Sequence, residues 1–125
     1  MRTLKRIHNG KVVEQTNVAE TMLCFAFEKQ DGIDIETPLQ TIGGMLVYLF
    51  DASHTRPYLF SEDLTQAIEN RLTELGFNPD RHRIILSGNL VSVAALVSVV
   101  AADYGYFTAL AFDTKIKAYR EMIMG

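Results

Sequence analysis

The chain holds one cysteine, Cys24, so an internal disulfide has no second partner. Its neighbours Leu23, Phe25 and Ala26 are apolar, which points to a buried thiol in a reducing, cytoplasmic setting. Positive charge is scarce as well: 12 Lys and Arg stand against 15 Asp and Glu, for a net charge of -3. That excludes the broad basic footprint of a general DNA-coating protein and leaves room only for a local basic patch. No apolar run is long enough to span a bilayer. The longest, Leu90 to Ala102, is interrupted by Ser92 and Ser98 and ended by Asp103. It falls short of the roughly 20 residues a spanning helix needs, so it reads as a core helix, and no membrane partner is expected. Met1 to His8 carries Arg2, Lys5 and Arg6 with neither an apolar run nor a small-residue cleavage site behind them. No secretory leader is expected there, and a cytoplasmic location follows.

Several chemistries lack their signatures. The histidines His8, His54 and His82 are dispersed and match no zinc-ligand spacing, so neither metal nor cofactor is expected. The dinucleotide pattern GxGxxG, the phosphate loop GxxxxGK(S/T) and the nucleophile elbow GxSxG are all missing. Glu69 and Glu74 fall on a helix away from any crevice, which removes a paired-carboxylate glycosidase from consideration.

What is present suits a single α/β domain over residues 1–125. Asn9-Gly10 supplies the positive backbone dihedrals of a tight turn, predicting a hairpin of strands 3–8 and 11–16 that extends the main sheet. The next segment carries two signals: Asn17 with Glu20 resembles a helix capping box, whereas the short apolar run Met22 to Phe27 resembles a buried strand. The aromatic pair favours a strand at 22–28. Asp31-Gly32 makes a turn, and Pro38 with Gly43-Gly44 marks a connection with room for one helical turn.

From residue 45 a Rossmann-like core is expected, running to 124. Met45 to Phe50 is a continuous apolar strand. Ser61 caps a helix whose face is Leu64, Ala67, Ile68, Leu72 and Leu75 and which stops at Gly76. Arg83 to Leu86 is a second strand, Leu90 to Ala102 a helix ended by Gly105, Phe107 to Phe112 a third strand, and Ala118 to Met124 a final one. Strand-helix alternation of this kind builds a parallel sheet in two or three layers. Arg81, His82 and Arg83, at the amino end of a strand, are expected to face solvent.

Ligands of such sheets bind at the carboxyl ends of the strands. That rule selects Asp51, Ser53, His54 and Arg56 after the first strand, Ser87, Gly88 and Asn89 after the second, and Asp113 and Lys115 after the third. Backbone N–H groups beside Gly88, the hydroxyls of Ser53 and Ser87, and charge on Arg56, Lys115 and His54 together suit an anionic, phosphate-bearing ligand. Each has a plainer reading too: Ser87-Gly88-Asn89 as a helix cap, His54 and Arg56 as a solvated loop, Asp51 and Asp113 as strand terminators. The helix from Leu90 to Asp103 has little polar face, and Ala94, Ser98 and Ala101 at i, i+4, i+7 would admit a second helix. The partner is either the chain's own N-terminal segment or the same helix of a second subunit, and a homodimer is favoured.

The stretch Ile84-Ile-Leu-Ser-Gly-Asn-Leu90, the apolar helix, and Tyr106-Phe-Thr-Ala-Leu-Ala-Phe-Asp113 with its closing hairpin resemble small CRISPR-associated Rossmann-like proteins of the CARF and ring-nuclease type. The likeness covers residues 45–124. It implies binding of a cyclic oligoadenylate across a dimer interface, with Ser87, Gly88 and Asn89 on phosphate or ribose. It also implies slow metal-independent cleavage in which His54, Arg56 or Lys115 stabilises the transition state. The alternative is a non-enzymatic interaction protein.

Overall fold

The polypeptide alternates strand and helix from residue 23 to residue 113, as the apolar runs require, and ends in a further strand. The computed structural model describes residues 3–8 and 11–17 as backbone strands, and residues 21–51 and 63–125 with their side chains. The elements are β1 (Thr3–His8), β2 (Lys11–Asn17), β3 (Leu23–Glu28), α1 (Glu36–Gln40), β4 (Met45–Phe50), α2 (Leu64–Leu75), β5 (Arg83–Ile85), α3 (Leu90–Tyr104), β6 (Phe107–Asp113) and β7 (Ala118–Met124).

A five-stranded sheet runs in the order β4-β3-β5-β6-β7. The pairs β4–β3, β3–β5 and β5–β6 are parallel, and β7 closes the sheet antiparallel to β6. The expected α/β class and parallel core are therefore present in a small Rossmann-like sheet. The three strands expected to form its core are all in it, with β3 inserted between β4 and β5. Its composition explains that central place: Cys24, Phe25, Ala26 and Phe27 are all buried, as a strand covered on both faces demands.

The hairpin differs from expectation in one respect. β1 and β2 pair antiparallel with His8 opposite Lys11, so the ladder forms, but it is a separate two-stranded sheet and does not extend the main one. The turn residues Asn9 and Gly10 lie outside the described residues. So does Ser61, and α2 begins after Asp63, whose side chain makes no capping bond.

Alternation distributes the side chains onto two cores. On one face, Phe25, Phe27, Ile84, Phe107 and Ala109 pack with Leu64, Ile68 and Leu72 of α2 and Leu96, Val99 and Val100 of α3. On the other, Cys24, Ala26, Ile85 and Leu110 meet Ile35 and Leu39 around the short α1. Gly76 ends α2 in the left-handed region at φ 70, where its N–H reaches the carbonyls of Leu72 and Thr73. No helix among the described residues is long and apolar enough to cross a membrane.

His82 corrects an expectation. It is 5% exposed rather than solvent-facing. Its Nδ1 accepts the Asn78 N–H at 2.9 Å, and its ring packs on Phe25 and Phe77. The turn from Asn78 folds the imidazole inward, a reversal that the flanking charges of Arg81 and Arg83 conceal in the sequence.

Candidate functional site

Chain order reverses around β3. The connection through α1 leads outward to β4, whereas the returning chain enters β5 on the opposite side of β3. The loops leaving β3 and β5 therefore diverge and leave a crevice at the carboxyl ends of these strands, the general ligand position in doubly wound sheets. A cleft of about 350 Å³ lies there. The β3–α1 loop contributes Gly32, Ile33 and Asp34, and the sheet contributes Leu86, Ser87, Phe112 and Tyr119.

The aromatic wall follows from register. Phe112 and Tyr119 are opposed across the β6–β7 ladder and so project on the same face, their rings edge to face with centroids 5.4 Å apart. Phe112 and Ile33 are both substantially exposed, leaving apolar surface open to a ligand. Burial, and after it the nearby charge of Asp34, pushes the Tyr119 phenol up, so it remains a protonated donor at neutral pH. Asp34 accepts the Thr37 N–H on Oδ1 at 3.1 Å. Hydrogen bonding from Thr37 holds this carboxyl below its ordinary range, and it is the one charged side chain among the described residues lining the cleft.

The expected residues divide among several places. Ser87 lines the cleft. Gly88 adjoins it with φ +128, and a Cβ there would stand 3.5 Å from Gln30 Nε2, so the loops after β3 and β5 meet at this glycine. Asn89 caps α3: its Oδ1 accepts the Val91 N–H at 2.8 Å. Asp113 organises the β6–β7 turn, accepting the Lys115 backbone N–H at 2.9 Å and Arg120 Nε at 2.6 Å. The bonded Arg120 lowers its carboxyl. Lys115 sits in that turn. Asp51 is exposed at the end of β4, beyond β3 from the cleft. Ser53, His54 and Arg56 lie outside the described residues.

The sequence reading missed Ile33, Asp34, Phe112 and Tyr119 as lining residues. A signal existed for the first two. Once 22–28 is taken as a parallel strand, the carboxyl-end rule applies to the residues after it as much as to those after Leu86. The other pair needed the β6–β7 register.

A second, smaller hollow of about 210 Å³ lies between α1 and the start of β4, lined by Glu36, Leu39, Gln40, Gly44, Met45 and Leu46. It opens at the amino end of β4, away from the diverging loops. Comparison of the chain with protein families, with characterised proteins and with solved structures returns no match.

Proposed function

We propose that the protein binds a nucleotide in the cleft between the β3–α1 loop and the carboxyl ends of β5 and β6. The planar base would lie between Ile33 and the Phe112–Tyr119 wall, and the phosphate would point toward Ser87, Gly88 and the start of α3. The observation that carries this reading is the position of an aromatic-walled cleft at the point where strand order reverses. Gly88 supports it further, because its φ of +128 suits glycine and turns the chain just before a helix N-terminus, where backbone N–H groups favour a phosphate. A cleft of about 350 Å³ suits one nucleotide unit. A cyclic oligoadenylate would have to engage the clefts of two copies, and its metal-independent cleavage would draw on His54, Arg56 or Lys115.

A thermal-shift screen with mononucleotides, cyclic oligoadenylates and short RNA tests this. A ligand at about 100 times its dissociation constant stabilises by about 2.7 kcal/mol. The expected shift shrinks in Phe112→Ala, which removes the wall, and in Gly88→Val, which crowds the backbone approach. Chromatography after incubation with the stabilising ligand separates a binder from an enzyme. Absence of any shift with a folded protein rejects the reading.

A second reading rests on α3. Its outer face exposes Leu90, Val91, Ala94, Ser98 and Ala102, with no charge before Asp103, and Leu90 is 82% exposed. A second copy packed along this small-residue face would bury it without desolvating charge, giving a homodimer or an interaction module. Sedimentation at tens of micromolar, about the range of a weak dimer, should find a dimer that Ser98→Arg disrupts. A wild-type monomer there excludes it.

A further inference from the structure

Among the described residues, the one charged side chain on the cleft wall is an acid, which is unexpected beside a phosphate and selects among bases. We infer that Asp34 reads the base, and that the ligand is a guanine nucleotide. The inference rests on the nucleotide reading above and deepens it.

The two walls offer different polar groups. Asp34 and Ser87 come from the two loops on either side of the crevice, so a ligand crossing it meets a carboxylate on one loop and a hydroxyl beside Gly88 on the other. A phosphate is repelled by the first and accommodated by the second, which orients the nucleotide with its base edge toward Asp34. An ionised carboxylate only accepts hydrogen bonds. The base edge facing it must therefore donate. Guanine presents two adjacent donors, N1–H and the N2 amino group, in the parallel arrangement that a carboxylate takes bidentately. Adenine presents its N1 lone pair beside the N6 amino group, so one of the two contacts becomes acceptor against acceptor. Hypoxanthine retains N1–H and lacks the amino group, and should fall between them.

Asp34 is prepared for this task by its neighbours. Oδ1 accepts the Thr37 N–H at 3.1 Å, which anchors the carboxyl at the start of α1, and a bidentate base edge would use the remaining lone pairs of the two oxygens. Ile33, next in the chain and about half exposed, supplies an apolar surface for the ring whose edge Asp34 would meet. Tyr119, which also lines the cleft and keeps its phenol proton at neutral pH, can donate to the guanine carbonyl oxygen beside N1–H.

The test is titration calorimetry of GMP, IMP and AMP on the intact protein and on Asp34→Asn, which keeps an acceptor for Thr37. Wild type should bind GMP about tenfold to a hundredfold tighter than AMP, the range of one good bidentate base contact, with IMP between them. Asp34→Asn should lose most of that preference, because its amide opposes a donor to one of guanine's donors. Equal or tighter binding of AMP overturns the guanine inference and leaves the nucleotide reading standing. A guanine preference that survives in Asp34→Asn shows that another group reads the base and overturns the assignment to Asp34. Failure of all three nucleotides on folded protein removes the nucleotide reading itself.

Discussion

The sulfur of Cys24 stands 2.6 Å from the point where a Cβ on Gly44 would begin. The contact arises where Gly44, just after the turn that follows α1, passes across β3, an interior strand of the sheet. Its N–H is held by the Leu39 carbonyl at 3.0 Å, so the backbone has little freedom to retreat. Gly44→Ala should therefore destabilise the fold by about 1–3 kcal/mol, the usual cost of overpacking a filled core. Urea unfolding of Gly44→Ala, Cys24→Ala and the double variant measures it. The double variant should recover part of the loss, because removing the sulfur opens the space the new methyl needs. Strictly additive effects would show that the clash is relieved by backbone movement instead.

The same burial governs the chemistry of the thiol. Burial pushes Cys24 up to about 11, outweighing the opposing pull of Arg83. At pH 8 very little is thiolate, and the sulfur is enclosed as well. Labelling of native protein by a thiol reagent should be slow at pH 8 and should accelerate along the urea unfolding curve. Rapid stoichiometric labelling without denaturant would place Cys24 outside the core.

Asn89 offers a clean separation of cap from ligand group. Its Oδ1 occupies the Val91 N–H at 2.8 Å, so Asn89→Ala should cost about 0.5–2 kcal/mol in stability. Asn89→Ser retains a capping oxygen and should restore most of it. Nucleotide affinity should change little in Asn89→Ser. A folded, stable Asn89→Ser that no longer binds would assign the side chain to the ligand.

Much of this architecture was legible because strand and helix periods differ. Apolar runs located β3 through β6, glycines located the ends of α2 and α3, and Asp113 marked the β6–β7 turn. Sheet order was hidden. Nothing local in Met22 to Phe27 states that it pairs with residues 45–50 on one side and 83–84 on the other, and without that pairing the crevice cannot be placed at β3. The aromatic wall was hidden for the same reason, since Phe112 and Tyr119 meet only through the register of an antiparallel pair. His82 shows the remaining limit: a turn residue between two arginines looks solvated until tertiary packing turns its ring inward.

His82 and Glu69 make opposed contributions to stability as pH changes. Burial, reinforced by the charges of Arg81 and Arg83, lowers the His82 pKa below its ordinary 6.5. Below 6.5 the unfolded chain takes up a proton that the folded protein resists, so stability present above 6.5 is lost as pH falls toward the lowered value. Protonation also removes the lone pair that accepts the Asn78 N–H. Glu69 behaves in the reverse sense. Its carboxyl is raised above the ordinary 4.5 by a hydrogen bond shared with Asp103 and by the charge of that residue. The stabilisation from its proton is complete below 4.5 and disappears as pH rises through the raised value. Acidification from pH 7 should thus first reduce stability through His82, with Glu69 opposing the decline at lower pH. Thermal unfolding of His82→Gln should lack the first loss, since the glutamine amide oxygen can accept from Asn78 without titrating there. Glu69→Gln should raise Tm at pH 7 by removing carboxylate repulsion across α2 and α3, and the gain should vanish below pH 4.5, where wild type carries the proton itself. A Tm increase for Glu69→Gln that is constant with pH would assign the effect to helix propensity and not to the carboxyl pair.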